Sequence, residues 1–458
     1  MKRMLIFLFF SLGLGITAFG ENVDILIKNA TVLTMNSKKE IIENGVVAIK
    51  GNRIVAVGDE KVLSKYKGKK VIDVDGDIVM PGFINTHTHV SMVPFRSLAD
   101  DVPDRLSRYI FPLENKLVSR DLVYKGAVYG ILEMVSTGTT TFADMYYFED
   151  EVAKAAELIG VRGVLGETVI KNPVADAKEP YGGISYAEEF IKKYKNSELV
   201  TPAFAPHAPY TVEEEYLKKV TELSKKYDVP VLMHIAETEN EVKQIKEKYN
   251  MTVIEYLNSI GFLTDKVVAG HVIFVNDSDI KILKEKNVGI AHNMVANIKS
   301  AKGVSPALKM FDEGLRVGLG TDGPMSGNTL DLVSQLGYVA KVHKLETKDR
   351  AAMPPYKVVE MATIGGAKAL HMEDKIGSLE EGKLADVIII DTKSLNMQPI
   401  YDPYSAIVYS MLPGDVKTTI VNGKIIMENK KIKTYDVNKA RKDLKSLEET
   451  VKAEAKKL

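Results

Sequence analysis

Histidines in this sequence collect at the ends of short apolar segments. Six of the eight follow this rule: His87, His89, His207, His234, His271 and His292. His87 and His89 are two residues apart, and a strand with that spacing places both imidazoles on one face, where they can share an ion. Asp322 ends another apolar segment. The imidazoles of His87, His89 and His234, with the carboxylate of Asp322, suit a catalytic divalent metal that keeps one position for water.

Each of these residues also has a plainer interpretation. A lone His-x-His pair is weak evidence for metal, and Asp322 before Gly323 could be the N-cap of a helix. The four residues taken together favour one divalent metal per chain. Zn²⁺ is the expected ion and Fe²⁺ is the alternative.

Short apolar strands alternate with helical stretches from Pro81 onward, which is typical of a parallel sheet. Strands are predicted near residues 83–89, 140–145, 161–169, 199–207, 229–236, 267–273, 288–292 and 316–321. Such a series of units predicts an α/β fold with a (β/α)8 TIM barrel. Active sites of this barrel lie at the C-terminal ends of the strands, where the histidines named above are found.

The sequence on either side of the barrel is rich in strand patterns. Gly51-Asn52 and Asn422-Gly423 mark hairpin turns between apolar segments. Neither flank has enough strands to bury a core alone, so we expect both to form one small β-sandwich domain. The predicted divisions are 21–80 and 376–434 for the two parts of this domain, 81–375 for the catalytic barrel, and 435–458 for a C-terminal helix.

The first 20 residues have the pattern of a secretory signal peptide. Lys2 and Arg3 precede an apolar run over 5–16, and Ala18 and Gly20 are small residues before a cleavage site after Gly20. The run is short for a membrane span, so no stable membrane insertion of the mature chain is expected. We expect an exported protein, periplasmic or secreted. The alternatives are an uncleaved anchor, or a wrong start codon on a cytoplasmic protein.

Composition excludes several classes of function. Lys and Arg together number 61, as do Asp and Glu, so the formal net charge is zero. Without a basic surplus, a nucleic acid polymer is not an expected partner. The chain has no Cys, which excludes disulfides, thiolate zinc sites and a cysteine nucleophile. A small-molecule substrate is expected, and a homo-oligomer is compatible with the sequence.

The sequence resembles the amidohydrolase superfamily, and within it the methylthioadenosine/S-adenosylhomocysteine deaminases with their chlorohydrolase relatives. The resemblance covers essentially everything after residue 23. It is strongest in the segments 81–89, 136–145, 206–211, 234–238, 320–323 and 377–386. It implies a hydrolase with a single metal held by His87, His89, His234 and Asp322. The segment Pro206-His207 occupies the region where binuclear members of the superfamily carry a lysine.

The resemblance also implies three catalytic residues. Glu237 lies three residues after His234 and would pass a proton to the substrate ring, as in other zinc deaminases. Its alternative is an acid in the first turn of a helix. His271 would orient the attacking water, and Asp322 would accept a proton from it. Glu237 and Asp322 would then contact substrate as well.

Two further residues are implied to bind substrate. His207 resembles the family histidine that contacts the purine. Glu114 resembles the family glutamate that binds ribose hydroxyls, and its alternative is a solvated helix acid.

The function implied is hydrolytic deamination of an adenosine-type nucleoside: methylthioadenosine, adenosine, 5′-deoxyadenosine or S-adenosylhomocysteine. A metal-activated hydroxide would attack the ring carbon and release ammonia. The alternative within the superfamily is a guanine, pterin or triazine deaminase, or a hydrolytic dechlorinase. A binding protein on an inactive enzyme fold is the alternative of another class, which the four retained ligands disfavour.

One departure from the family concerns the amino-acid tail of S-adenosylhomocysteine. Family members that bind this tail carry an Arg at the end of the third barrel strand. Here Arg162 begins that strand, and Glu167 lies near its end. We expect Glu167 to repel a substrate carboxylate, so that nucleosides without the tail are preferred.

Overall fold

The computed structural model describes residues 20–458. The predicted signal peptide, apart from Gly20, lies outside the described residues. Within the described chain, no helix is both long enough and apolar enough to cross a bilayer.

The chain begins with strands that join a mixed sheet. β1 is long because its two halves pair differently: residues 21–28 lie parallel to β4, and Thr31 and Val32 lie parallel to β5. β2 and β3 add antiparallel pairs on the other edge of β1. The bounds are β1 Glu21–Leu33, β2 Ile41–Lys50, β3 Arg53–Gly58, β4 Tyr66–Asp73 and β5 Ile78–Pro81.

The next eight strands in the described chain close into a parallel barrel. Most of their residues are buried, because the interior packs on one face and helices cover the other. Small side chains such as Ala143, Ala203 and Ala291 fill the interior, and Leu370 and Ile376 pack against them. The bounds are β6 Phe83–Thr88, β7 Thr139–Tyr146, β8 Arg162–Val169, β9 Val200–Pro206, β10 Val231–Ile235, β11 Val267–His271, β12 Gly289–His292 and β13 Arg316–Leu319.

After the barrel the chain returns to the mixed sheet. β14 pairs with β5, so the two ends of the chain share one sheet of nine strands within the described residues. The bounds are β14 Val387–Ile390, β15 Val416–Val421, β16 Lys424–Glu428 and β17 Lys431–Ile432. The predicted fold class, a TIM barrel with a small β domain built from both ends, is confirmed. The exact domain boundaries stay predictions.

Helices cover the barrel and close its ends. The bounds are α1 Glu60–Leu63, α2 Phe111–Leu117, α3 Arg120–Ser136, α4 Glu149–Ile159, α5 Gly183–Tyr194, α6 Glu214–Tyr227, α7 Glu239–Tyr249, α8 Val253–Ser259, α9 Asp277–Glu285, α10 Met294–Lys299, α11 Ala307–Asp312, α12 Val333–Thr347, α13 Pro355–Ala362, α14 Ile364–Ala369, α15 Pro403–Tyr409 and α16 Val437–Ala455. Short 3-10 helices span Val90–Phe95, Leu395–Met397 and Pro413–Asp415, and a π-helical turn spans Leu106–Ile110.

A buried ion pair joins the barrel to the mixed sheet. Arg162, the first residue of β8, contacts Asp386 with 3.2 Å between Nε and Oδ2. The same carboxylate accepts a hydrogen bond from the backbone N–H of Asn422 at 2.7 Å. Removing one partner would leave a buried charge without its counter-ion, which is costly. Arg162 is therefore a structural residue at the start of its strand, far from the ends that carry the histidines.

Candidate metal centre and active site

The C-terminal ends of the barrel strands bring four imidazoles together. The ring of His87 lies 5.1 Å from that of His89, 5.0 Å from that of His234 and 5.3 Å from that of His271, measured between ring centres. Within the described residues, two groups have ligand atoms that all lie within 4.8 Å of one another. They are His87, His234 and His271, and His87, His89 and Asp322.

Backbone carbonyl groups fix the tautomers of two of these histidines. His89 Nδ1 lies 2.6 Å from the oxygen of Met145, and His234 Nδ1 lies 2.8 Å from the oxygen of His207. A carbonyl oxygen only accepts, so Nδ1 carries the proton in both rings. Both Nε2 atoms then present lone pairs. This carbonyl support is the usual arrangement around histidines that bind metal through the other nitrogen.

The free nitrogens face one another, which is unfavourable without a cation between them. Nε2 of His89 and Nε2 of His234 are 3.3 Å apart. Among the described residues, buried His87 Nε2 has no hydrogen-bond partner. Asp322 Oδ1 lies 3.3 Å from His89 Nε2 and 3.9 Å from His87 Nε2. Converging lone pairs, an orphaned nitrogen and a buried carboxylate are a donor set that fits a divalent metal.

Asp322 is held against the first barrel strand by its own backbone. Its N–H donates to the oxygen of His87 at 3.0 Å, and its φ of 60° is strained for a residue other than glycine. In the described chain the next helix begins only at Val333, so Asp322 is not a helix N-cap and that alternative is wrong. Burial raises the pKa of Asp322, but the surrounding imidazoles, with His89 the largest contributor, outweigh it and hold the pKa well below its usual range.

A glycine allows this close packing. A Cβ built on Gly320 would lie 2.2 Å from Oδ1 of Asn293 and 3.1 Å from the backbone nitrogen of His87. No larger residue fits at that distance without moving the backbone that carries the histidine. Gly320 therefore lets the last barrel strand approach the first one.

His271 also sits on strained backbone, with a φ of 71°. Its Nδ1 lies 2.8 Å from Oδ1 of Asn297, so that Nδ1 donates and Nε2 stays free. The Nε2 atom lies 3.6 Å from Oε1 of Glu237. The free nitrogen of His271 thus faces the same space as Glu237 and the other imidazoles, as expected for a residue that orients water there.

Glu237 lies in the loop between β10 and α7. The side chain of Thr238 caps that helix, so Glu237 precedes its first turn and the alternative of a first-turn helix acid is wrong. Its backbone N–H donates to Oε2 of Glu241 at 2.8 Å, and its Oε1 accepts from Nζ of Lys302 at 2.5 Å. Burial raises the pKa of Glu237, but His271 and Lys302 together lower it to about 2.

His207 lies beside the histidine cluster. Its ring centre is 5.0 Å from that of His234, and its Nδ1 is 3.0 Å from Oγ1 of Thr211. Burial lowers its pKa to about 4, so the imidazole is neutral at pH 7. The structure brings His207 to the site, and its contact with a purine stays a prediction.

Glu114 is half-buried on α2, which disfavours its alternative as a solvated helix acid. Its Oε1 accepts from the hydroxyl of Tyr146 at 2.6 Å, and the ring of Tyr146 lies 6.4 Å from that of His89. Burial raises the pKa of Glu114 to about 7, although the bond from Tyr146 opposes the shift. The structure places Glu114 at the edge of the site, and its contact with ribose stays a prediction.

Three functional neighbours have no signal in the sequence. Lys302, Asn297 and Tyr146 contact Glu237, His271 and Glu114 respectively. Lys302 and Asn297 lie in or just after α10, and lysines and asparagines are common there. Only the three-dimensional contact identifies them.

Glu167 differs from its predicted role. It is fully buried, and its Oε2 accepts from the N–H of Glu149 at 3.0 Å. Burial raises its pKa well above the usual range, and the charge of Asp176 and a hydrogen bond with Asp176 act in the same direction. These shifts favour the neutral form of Glu167, and a neutral side chain would not repel a substrate carboxylate. The absence of a cation at this position remains the reason to expect weak tail binding.

Glu167→Gln should make the protein more resistant to alkaline pH. The folded pKa of Glu167 is raised above the unfolded value, so the folded state holds a proton that the unfolded state releases above about pH 4.5. The contribution of Glu167 to the free energy of unfolding therefore falls as pH rises. Gln needs no such proton, and the Tm of the variant relative to wild type should increase from pH 5 to pH 9. The control is Glu189→Gln, at an exposed position, and its Tm relative to wild type should not change with pH. An equal loss of Tm at both pH values would mean that Glu167 is ionised.

The class of protein follows from the barrel, the histidine cluster and a sequence match. The profile of the Amidohydrolase family matches residues 78–426. The chain therefore belongs to the amidohydrolase family.

Particular relatives are similar over nearly the whole chain. A 5-methylthioadenosine/S-adenosylhomocysteine deaminase of Thermodesulfovibrio yellowstonii is 40% identical over 88% of this chain and 93% of the relative. A 5′-deoxyadenosine deaminase of Methanococcoides burtonii is 42% identical over 89% of this chain and 93% of the relative. The crystal structure of an adenosine deaminase from Xanthomonas campestris with bound zinc has a TM-score of 0.93 and 29% identity, covering 95% of this chain and all of that one.

Proposed function

We propose that the protein is a zinc-dependent aminohydrolase that converts an adenosine-type nucleoside to the corresponding inosine-type product. Water replaces the exocyclic amino group, which leaves as ammonia. The observation that carries this proposal is the cluster of His87, His89, His234 and Asp322, beside which His271 Nε2 lies 3.6 Å from Oε1 of Glu237. Relatives near 40% identity that are named as deaminases of such nucleosides support it.

The donor set indicates how a metal would be held. His87, His89, His234 and Asp322 are the proposed ligands, and the similar structure with bound zinc favours Zn²⁺ over Fe²⁺. When bound, the ion supplies Lewis-acid activation of water. His271 lies close enough to be a further ligand, but its contact with Asn297 and its approach to Glu237 favour a role in orienting the water.

The protein side chains divide the proton transfers between them. Asp322 is ionised and takes a proton from the attacking water. His271 directs its free Nε2 toward the same space and orients the oxygen for attack on the ring carbon. Glu237 is ionised in the free enzyme, takes the other proton of the attacking water and passes it to the ring nitrogen next to that carbon, so that the ring can accept the electron pair. The proton taken up by Asp322 goes to the leaving amino group, the carbon–nitrogen bond breaks, and ammonia departs.

Two residues at the edge of the site suit the rest of a nucleoside. Neutral His207 can donate or accept a hydrogen bond at the purine without a charge. Glu114, fixed by the hydroxyl of Tyr146, can accept hydrogen bonds from two neighbouring ribose hydroxyls. With this division, the amino group would lie near Glu237 and the sugar near α2.

A panel of substrates tests the proposal by ammonia release. Methylthioadenosine, adenosine and 5′-deoxyadenosine should be deaminated with kcat/KM at least about tenfold above that for S-adenosylhomocysteine. The reason is a missing cation for the tail carboxylate, since a charge-assisted hydrogen bond contributes about 1.5–3 kcal/mol. The exposed Lys171 and Lys178, in the loop after β8, are the candidates for a cation that could bind the tail carboxylate instead. Equal kcat/KM for S-adenosylhomocysteine would contradict the preference. Turnover of only guanine, a pterin or a triazine would replace the proposed substrate class.

We also propose that the protein is exported after cleavage behind Gly20. The charged start, short apolar run and small residues at 18 and 20 support it. The intact mass of the protein recovered from an exporting bacterial host tests this: a mature chain should begin at Glu21. An unprocessed chain retained in the cytoplasm would contradict it. A homo-oligomer stays a prediction.

A further inference from the structure

The carboxylate of Glu237 has one hydrogen-bond donor among the described side chains, and it is Lys302. Nζ of Lys302 lies 2.5 Å from Oε1 of Glu237, whereas His271 Nε2 is too distant for a hydrogen bond at 3.6 Å. The two side chains are only about one-fifth exposed, at 22% for Lys302 and 16% for Glu237. The contact joins residues 65 positions apart, so it depends on the folded loops.

The loop that carries Lys302 is itself fixed near the site. The backbone N–H of Lys302 donates to the oxygen of Asn297 at 3.0 Å, and Asn297 supports the ring of His271. Gly303 follows with a φ of 119°, a conformation that glycine adopts without strain. Ser305 Oγ donates to the oxygen of Val272 at 2.7 Å. One segment thus holds both His271 and, through Lys302, Glu237.

The main chain at Glu237 is held by hydrogen bonds to a second carboxylate, that of Glu241. The N–H groups of Ala236 and Glu237 donate to the two carboxylate oxygens of Glu241, each at 2.8 Å. These bonds set the path of the main chain but leave the rotatable bonds of the Glu237 side chain free. Lys302 restrains those bonds by binding the carboxylate directly.

Charges around Lys302 favour the ammonium form. Burial opposes the charge, but Glu237 and Asp322 outweigh it and raise the pKa of Lys302. The positive charge of Arg105 acts in the opposite direction. The lysine is thus a cation whose bonded partner is Glu237.

We infer that Lys302 is a positioning residue of the reaction: its ammonium group holds the Glu237 carboxyl group in the orientation needed for proton transfer to the substrate. The inference rests on the proposed function. Lys302 acts through Glu237 and does not contact the reacting atoms. Without it, Glu237 keeps its backbone position but populates several side-chain orientations, few of which reach the ring nitrogen.

A double-mutant cycle tests this coupling. Lys302→Met keeps the length of the side chain and removes the donor, and should lower kcat at least about tenfold with little change in KM. Lys302→Arg, which keeps a charged donor, should recover part of the loss. In the Glu237→Gln background, Lys302→Met should have almost no further effect, because the group that it positions is already disabled.

Control measurements distinguish a positioning role of Lys302 from a role in folding or in direct contact with substrate. Metal content and Tm should be close to wild type in Lys302→Met, and Lys302→Gln serves as a second variant if the methionine variant does not fold. Lys309→Met is the control, because Lys309 is exposed on α11, and this variant should have a normal kcat. Equal effects of Lys302→Met in both backgrounds, or a rise in KM alone, would overturn the inference in favour of direct substrate contact. A wild-type protein without nucleoside turnover would instead refute the proposed function.

Discussion

Glu237→Gln is expected to lower kcat for nucleoside deamination at least about 100-fold, the usual contribution of a general acid–base group. The amide occupies nearly the same volume as the carboxyl group but cannot donate an acidic proton. Its carbonyl oxygen can still accept from Lys302, and the backbone bond to Glu241 is untouched. Folding and metal content should therefore be preserved, and steady-state kinetics with metal analysis on the same sample measures both.

A matched control lies two residues away. Glu239 is an exposed acid in the first turn of α7, which is the position that Glu237 does not occupy. Glu239→Gln should leave kcat unchanged and lower Tm only slightly, because one favourable charge near the helix N-terminus is lost. Near-normal turnover in Glu237→Gln would show that Glu237 carries no proton and that another group does.

The barrel could be predicted closely from the sequence. The observed strands agree with the predicted ones to within two residues at each end, because each is a compact apolar segment buried on both faces. The C-terminal helix, predicted over 435–458, is α16 at Val437–Ala455. The candidate metal ligands could be named for a related reason: parallel strands end at one edge, so residues at strand ends meet there.

Other elements carry no such signal. β4 contains several lysines and is mostly exposed, so its alternation of apolar and polar residues is weak. The strand forms because β1 offers it a parallel partner. The sequence predicts a negative charge on Glu167, whereas burial and the neighbouring Asp176 raise its pKa and favour the neutral form. A residue's type gives its charge in water, whereas its pKa in the protein depends on neighbours brought from elsewhere in the chain.

The residues that support the site likewise depend on neighbours that the fold brings from elsewhere in the chain. Asn297 lies in α10 and Lys302 just after it, yet they contact residues from elsewhere in the chain: His271 at the end of β11 and Glu237 in the loop after β10. Spacing along the chain predicts which side chains share a strand face. It does not predict which loop side chain completes the hydrogen bonds of another loop. Supporting residues are therefore the part of an active site that sequence patterns identify least well.

Loss of a metal ligand is expected to have the largest effect of all. His234→Ala removes an imidazole whose Nε2 faces that of His89, and it leaves three donors in place of four. The variant should lose most of its bound metal and all measurable deamination, since the bound ion supplies activation of water. Asp322→Asn, nearly isosteric and still able to accept from Gly323, is a second variant in which folding is easier to preserve.

Metal analysis of purified residues 21–458 measures the effect directly. Wild type should hold one divalent metal per chain, and its Tm should fall when a chelator removes the ion, because a ligand that binds only the folded state stabilises it. His371→Asn is the control: this histidine lies outside the cluster, and its φ of 54° is one that Asn tolerates. It should keep its metal and its activity. Two metals per chain in wild type, none after reconstitution, or full metal retention in His234→Ala would each contradict a single centre built from these four residues.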